Sequence, residues 1–317
     1  MSTTTQAKKE EPSSPPDAPS SDPKRVPAGH RSARPYLLSV PAIIVVIGIL
    51  FPFASGVWYS FLNYTAGVTS VHWVGFDNFS SVFGGSAVWH SIWVTIQYAV
   101  VATVVETILG VGVALLLNRS SLVGRVLEKV LILPLMIAPV IAATVWKLMF
   151  NPNFGILNHV LGLGSNFNWL GKNNGLYSAI LVDVWIYTPF VAILVLAGIR
   201  SLPKEPFEAS AVDGAGALYM FRRLMLPMMW PYILVAVIFR LMDCLKIFDV
   251  VYVLTTGGPG TATTTLQINA YEDSIQNLDY SRGSTYMFVL WVLVFIVARF
   301  LVSVLGKAQR RAAGAES

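Results

Sequence analysis

Six apolar runs separated by polar segments set the pattern of this chain, at about 36–62, 91–117, 130–150, 176–199, 232–254 and 285–305. Each is near the roughly 20 residues that an α-helix needs to cross the hydrocarbon core of a bilayer. The pattern predicts an all-α integral membrane protein with six spans. Residues 1–35 are rich in Ser, Pro, Lys and Glu and lack apolar periodicity, so they are expected to be a disordered tail. A cleavable leader would place its apolar core closer to Met1. The first run ends on Trp58 and Tyr59, residues suited to a membrane–water boundary. Pro134 and Pro139 are each able to kink the third run. Between runs lie WVGFDNF (Trp73–Phe79), an Asn- and Gly-rich loop at 151–175, and TTGGPGTATTT (Thr255–Thr265). Residues 306–317 form a second tail.

The segment between the fourth and fifth runs differs from the other connections. It reads EASAVDGAGALYMFRRLMLP from Glu208 to Pro227. Pro206 suits a first helical turn and Glu208 lies near a positive helix N-terminus. Ala209, Ser210 and Ala211 keep that helix thin enough for another surface to approach its backbone. Asp213-Gly214 predicts a turn. A second amphipathic piece then carries Phe221, Leu224 and Leu226 on one side and Arg222 and Arg223 on the other. Pro227 and Pro231 mark the step into the fifth run. A helix-turn-helix knuckle of this kind does little for a bilayer and is built to dock onto something.

Composition sharpens the class. The chain is 55% hydrophobic and 12% charged, with mean hydropathy +0.62, against roughly 25% charged in soluble domains. Its formal charge of +5 invites a nucleic-acid reading, but the placement of the charges does not. Sixteen of the 22 Lys and Arg fall in the N-terminal tail, the 118–129 connection, the knuckle and the C-terminal tail. Only Lys172 and Arg282 fall in the alternate loops. By the positive-inside rule, both termini and the knuckle are expected to be cytoplasmic. No nucleic acid is needed. The single cysteine, Cys244, excludes an intrachain disulfide and a multi-cysteine metal site. No phosphate-cradling G-x-x-x-x-G-K-[ST] loop occurs, and the scattered His30, His72, His90 and His159 give no metal site. No catalytic residues are identified.

Charges inside spans cost about 2.5–3.5 kcal/mol each at a helix centre, so they demand partners or a polar cavity. In the fifth run Arg240, Asp243, Lys246 and Asp249 alternate in sign at i, i+3 spacing. They read either as an internal ion ladder along one helix or, in part, as the lining of a path. The four drift around the helix, and Asp243, Cys244 and Ile247 share the face most suited to a path. In the fourth run Asp183, Tyr187 and Phe190 form a polar-aromatic stripe. They read either as helix packing or as part of a path, and an unpaired buried carboxylate such as Asp183 is costly. Glu106 in the second run could pair with a basic residue across the bundle and is assigned no role.

The knuckle resembles the coupling loop of ABC importer permeases, through Glu208, Ala209, Asp213, Gly214, Ala215, Leu226 and Pro227. Ser210 stands where that loop has a second Ala, and Leu224 where it has Ile. Phe239–Pro259 (FRLMDCLKIFDVVYVLTTGGP) and WVGFDNF are similar to the carbohydrate-type permeases of the maltose and glycerol-phosphate group. The resemblance runs from Tyr36 to Leu305. It implies a type I importer fold: a first helix at 36–62, a core at 91–305 and a coupling loop at 200–228, with a swapped first helix possible. It implies an ABC sugar importer of bacterial or archaeal cell membranes. The implied partners are a second homologous permease, two cytoplasmic ATPase subunits and an extracellular solute-binding protein, free or lipid-anchored. ATP and Mg would sit on the ATPase, and this chain would bind no cofactor and be no enzyme. Glu208, Ala209, Ser210, Ala211, Asp213, Gly214, Ala215, Leu226 and Pro227 would couple to the ATPase. Asp183, Ile186, Tyr187 and Phe190 align with substrate-lining positions; Arg240, Asp243, Cys244, Lys246 and Ile247 complete the expected path. An importer of glycerol-phosphate or another polar solute is the alternative cargo. A proton-coupled secondary transporter is the alternative class.

Overall fold

The computed structural model describes residues 34–118, 122–164 and 166–312. The expected N-terminal tail lies outside these residues except for Arg34 and Pro35, which already belong to the first helix. Among the described residues the secondary structure is helical, with two isolated β-bridges, Leu62–Trp73 and Thr65–Asp279. The chain divides into two units after Leu50. In the first, helix α1 (Arg34–Tyr59) presents Ile43, Ile44, Val45, Val46, Ile47, Ile49 and Leu50 as exposed side chains, which suits a lipid surround. The rest of α1 belongs to the second unit.

Among the described residues, five helices are long and apolar enough to cross a membrane: Ser39–Tyr59, Ser86–Leu117, Gly175–Arg200, Ala217–Cys244 and Tyr280–Arg310. In chain order after α1, the second unit contains α2 (Asp77–Gly84), α3 (Ser86–Leu117) and α4 (Leu122–Leu131), then α5 (Pro139–Met149) and α6 (Ile156–Leu161). It continues with α7 (Gly175–Arg200), α8 (Glu205–Val212), α9 (Ala217–Met220) and α10 (Leu226–Cys244), then α11 (Asp249–Thr255), α12 (Leu266–Tyr271) and α13 (Tyr280–Ala312). The centre is α7: 61% of its most apolar 18-residue window is buried, against 33% for α3 and 11% for α13.

The third apolar run is not a straight span. It bends by 94° between Gly124–Met136 and Pro139–Met149. Residues before proline are pushed out of the helical region, and here Ile137 and Ala138 are extended, with ψ 130° and 133°. Pro139 then starts α5. The fifth run departs from expectation at both ends. Its helix is continuous from Ala217, so the second half of the knuckle is the start of the span and no proline separates them. A π turn over Phe221–Met225, closed by Leu226 N–H on Phe221 O, widens the backbone ahead of Pro227. That is how a helix accommodates a ring and a missing donor. At the other end the helix stops at Cys244, and α11 begins afresh at Asp249.

Glycines set the closest helix approaches. A Cβ on Gly110 of α3 would lie 2.6 Å from Val191 Cγ1 and 3.1 Å from the Ala192 backbone N of α7. A Cβ on Gly112, one residue pair along, would meet nothing within 4 Å. Gly110→Leu should therefore destabilise the purified permease by about 1–3 kcal/mol through overpacking, read as a lower melting temperature. Gly112→Leu should leave it unchanged, and equal melting of the two variants would refute this packing.

The WVGFDNF segment folds into an aromatic knot at the end of α1. Phe61 stacks on Trp73 at 5.2 Å and meets Phe76 and Phe79. Asn78 donates to the carbonyls of Ser60 and Leu62 at 2.9 and 2.8 Å, satisfying backbone acceptors where α1 ends. In the 151–175 loop, buried Asn158 does the same work. It donates to Gly164 O and Phe167 O and accepts from Trp169 Nε1 at 2.6 Å.

Candidate functional site

Three helices each carry an ionisable residue into the interior. Glu106 of α3 and Asp183 of α7 are fully buried, and Arg240 of α10 is 2% exposed. Arg240 pairs with both carboxylates, although Asp183 Oδ1 is left without a hydrogen-bond partner among the described residues. Its Nε donates to Glu106 Oε2 at 2.6 Å and its Nη2 to Glu106 Oε1 at 2.9 Å. Nη2 also donates to Asp183 Oδ2 at 2.9 Å and lies 3.2 Å from Cys244 Sγ. Nη1 donates to Asp243 Oδ2 at 2.6 Å. The guanidinium carbon sits 3.9 Å from the centroid of the Tyr187 ring, a cation–π contact. Asp243 is the outward member: its side chain is 54% exposed. The atoms of Glu106, Asp183 and Cys244 lie within 4.8 Å of one another, a spacing that suits a cation. The cation in that position is the guanidinium itself.

The structure brings Asp183, Tyr187, Arg240, Asp243 and Cys244 together. Of the remaining expected path residues, Ile186 and Ile247 pack in the same apolar cluster as Cys244 and Tyr187, and none of the four makes a side-chain hydrogen bond or ion pair with Arg240 among the described residues. Ile186 is buried in the apolar core, and Phe190 lies edge-on to Phe239 at 6.4 Å. Lys246 and Ile247 lie beyond the end of α10. Lys246 lines a separate cavity of about 420 Å³ with Phe53, Gln267 and Trp291, and Ile247 O accepts from Thr265 Oγ1 at 3.5 Å. The ion ladder is therefore corrected. Arg240–Asp243 forms along the helix, but neither Lys246 nor Asp249 has an ion pair among the described residues, because the helix ends before both. Cys244 and Ile247 pack in one apolar cluster, although α10 ends between them. Glu106, given no role from the sequence, makes the two-point contact of the cluster. Its signal was present: one acid in a 32-residue apolar helix requires a partner.

The knuckle forms a second site. Helix α8 has no buried residue, and Glu205 and Glu208 occupy its first turn. Val212, Leu218 and Tyr219 are exposed, Val212 at 88%. Asp213 caps the helix and Gly214 turns the chain at φ +78°. Three backbone bonds close the turn: Asp213 N to Ala209 O, Gly214 N to Ala211 O and Ala215 N to Ser210 O, at 3.0–3.1 Å. Phe221, Leu224 and Leu226 are half-buried while Arg222 and Arg223 are exposed. Beside the knuckle lies a cavity of about 1110 Å³, lined by Ser201–Pro203, Pro227, Met228, Trp230–Tyr232 and the α13 residues Val304 and Lys307. The knuckle reaches this cavity at Pro227.

The described residues thus place a buried charge cluster on three long apolar helices and an exposed helical knuckle between two of them. Residues 106–312 match the family model described as "Binding-protein-dependent transport system inner membrane component", and the chain belongs to that family. It is 37% identical over 264 residues to the trehalose/maltose transport system permease protein MalF of Thermococcus litoralis, covering 82% of this chain and 89% of the relative. It is 30% identical over 271 residues to the sn-glycerol-3-phosphate transport system permease protein UgpA of Salmonella choleraesuis, covering 83% and 90%. Among solved structures it superposes with TM-score 0.75 at 22% identity on a chain of a bacterial alginate ABC transporter in complex with alginate pentasaccharide-bound periplasmic protein, covering 86% and 93%. That likeness is one of fold.

Proposed function

We propose that this permease forms half of the translocation path for an uncharged carbohydrate in an ATP-driven importer. A second permease would supply the other half and an extracellular binding protein would deliver the solute. Helix α8 would seat on a cytoplasmic ATPase carrying ATP and Mg, with both termini on the same side. The positive-inside asymmetry and the exposed knuckle support that orientation. The 94° bent pair at 124–149 would serve as the sixth span.

The observation that carries the cargo class is the compensation of Arg240. Three carboxylates surround one guanidinium, so the cluster offers no net positive charge to a phosphate or a uronate. It offers instead a half-exposed carboxylate, Asp243, and the Tyr187 ring. A carboxylate accepts hydrogen bonds from hydroxyls and an aromatic face stacks on a pyranose. Relatives named for trehalose/maltose and for glycerol-phosphate transport stand on either side of this choice, and the charge balance favours the former.

The test is uptake by the assembled transporter. Asp183→Ala and Tyr187→Ala should each lower uptake roughly tenfold, the effect of ~1.4 kcal/mol on a rate, while basal ATP hydrolysis persists. A glycerol-phosphate should be a poor cargo for the wild type. Normal uptake in both variants would move the solute site elsewhere. Loss of uptake on collapsing the proton gradient with ATP present would favour the secondary-transporter class.

A further inference from the structure

Resting on the reading that Asp243 and Tyr187 meet the solute, we infer that Glu106 is a positioning residue that sets both of them through Arg240. Glu106 is fully buried and cannot touch a solute itself. Its two oxygens grip one edge of the guanidinium, at Nε and Nη2. Because that group is planar and rigid, a two-point grip on one edge fixes the plane and the direction of the other edge. The other edge is Nη1, which holds Asp243 Oδ2 at 2.6 Å. The face of the same plane lies on Tyr187 at 3.9 Å.

The donor inventory leads to the same place. An arginine has five N–H donors. Nε and Nη2 supply three, taken by Glu106 and Asp183, and Asp243 takes one from Nη1. One Nη1 hydrogen is left beside Asp243, whose Oδ1 has no hydrogen bond among the described residues. A hydroxyl can accept from that hydrogen and donate to that oxygen at once. Glu106 thus holds in register a donor–acceptor pair suited to one sugar hydroxyl.

The experiment is a double-mutant cycle on Glu106 and Asp243, side chains that share no direct contact. The readout is solute imported per ATP hydrolysed at saturating binding protein, in the complete transporter in proteoliposomes. This ratio cancels the amount of assembled complex, so a merely structural role would not move it. Glu106→Gln keeps one acceptor and faces Arg240 with an NH₂ group; it should lower the ratio about fivefold. Asp243→Asn should lower it by a similar factor. The double variant should fall no more than about twofold below the weaker single, because both changes break one chain of contacts. Independent factors that multiply in the double variant would overturn the inference. So would an unchanged ratio in Glu106→Gln beside a reduced one in Asp243→Asn. An unchanged ratio in Asp243→Asn alone would remove the reading on which the inference rests. If Glu106→Gln does not assemble, the cycle is run with Glu106→Asp, which keeps the charge but withdraws the grip, and the same outcomes decide.

Discussion

Removing the guanidinium of Arg240 is expected to be the most damaging single change to the stability of this protein. Arg240→Ala leaves Glu106 and Asp183 buried with no cation, and breaking one side of a buried ion pair costs about 3–5 kcal/mol. The variant should purify in low yield with a strongly depressed melting temperature. Arg240→Lys should recover only part of the loss. An ammonium is a point charge and cannot grip both Glu106 oxygens, hold Asp243 and lie flat on Tyr187 together. Replacing all three charges, as Glu106→Leu, Asp183→Leu and Arg240→Met, should restore much of the stability, since apolar substitutes for a buried ion cluster are often neutral or favourable. Uptake should stay low in the triple variant, because Asp243 and Tyr187 lose their common support. Native melting of Arg240→Ala would mean that the cluster does not hold the three helices together.

These expectations differ in how far they were legible in the chain. The membrane class, the knuckle and its turn could be read directly, because each rests on local chemistry: apolar run length, Gly at a left-handed position, and the apolar Phe221, Leu224 and Leu226 set against Arg222 and Arg223. The partner of Arg240 could not be read in the same way. Asp243 at i+3 is near in sequence, while Glu106 lies 134 residues away, and no periodicity reports a contact between helices. Lys246 and Asp249 misled for a related reason. Apolar residues continue through Val250, Val251 and Leu254, so composition shows one long run where the backbone makes two helices. Pro227 misled in the opposite direction: it reads as a boundary, but a π turn carries the helix past it. The two prolines of the third run did announce a kink, although not a bend of 94°.

The second large effect is expected at the knuckle and falls on coupling rather than stability. Gly214 has φ +78° and its N–H bonds Ala211 O at 3.1 Å. Proline is locked near φ −65° and has no N–H, so Gly214→Pro removes both the turn and its bond. Helix α8 would then leave the span in a different direction. A Cβ at Gly214 meets no atom within 4 Å, so the damage comes from backbone conformation and not from packing, and the spans themselves should assemble normally. Glu208→Lys tests the same site by charge. Glu208 is exposed and its carboxylate has no hydrogen bond among the described residues, so its reversal costs the isolated chain only about 0.3–1 kcal/mol at the helix N-terminus. If Glu208 instead meets a basic group on the ATPase, losing that desolvated pair costs about 2–5 kcal/mol, which is roughly thirtyfold or more in coupling. Both variants should reach the membrane at wild-type levels, and ATP hydrolysis should continue without matching uptake. Wild-type uptake in both would show that α8 does not transmit the ATPase stroke. A loss of uptake in Gly214→Pro alone would confine the coupling to the shape of the knuckle and release Glu208 from any part in it.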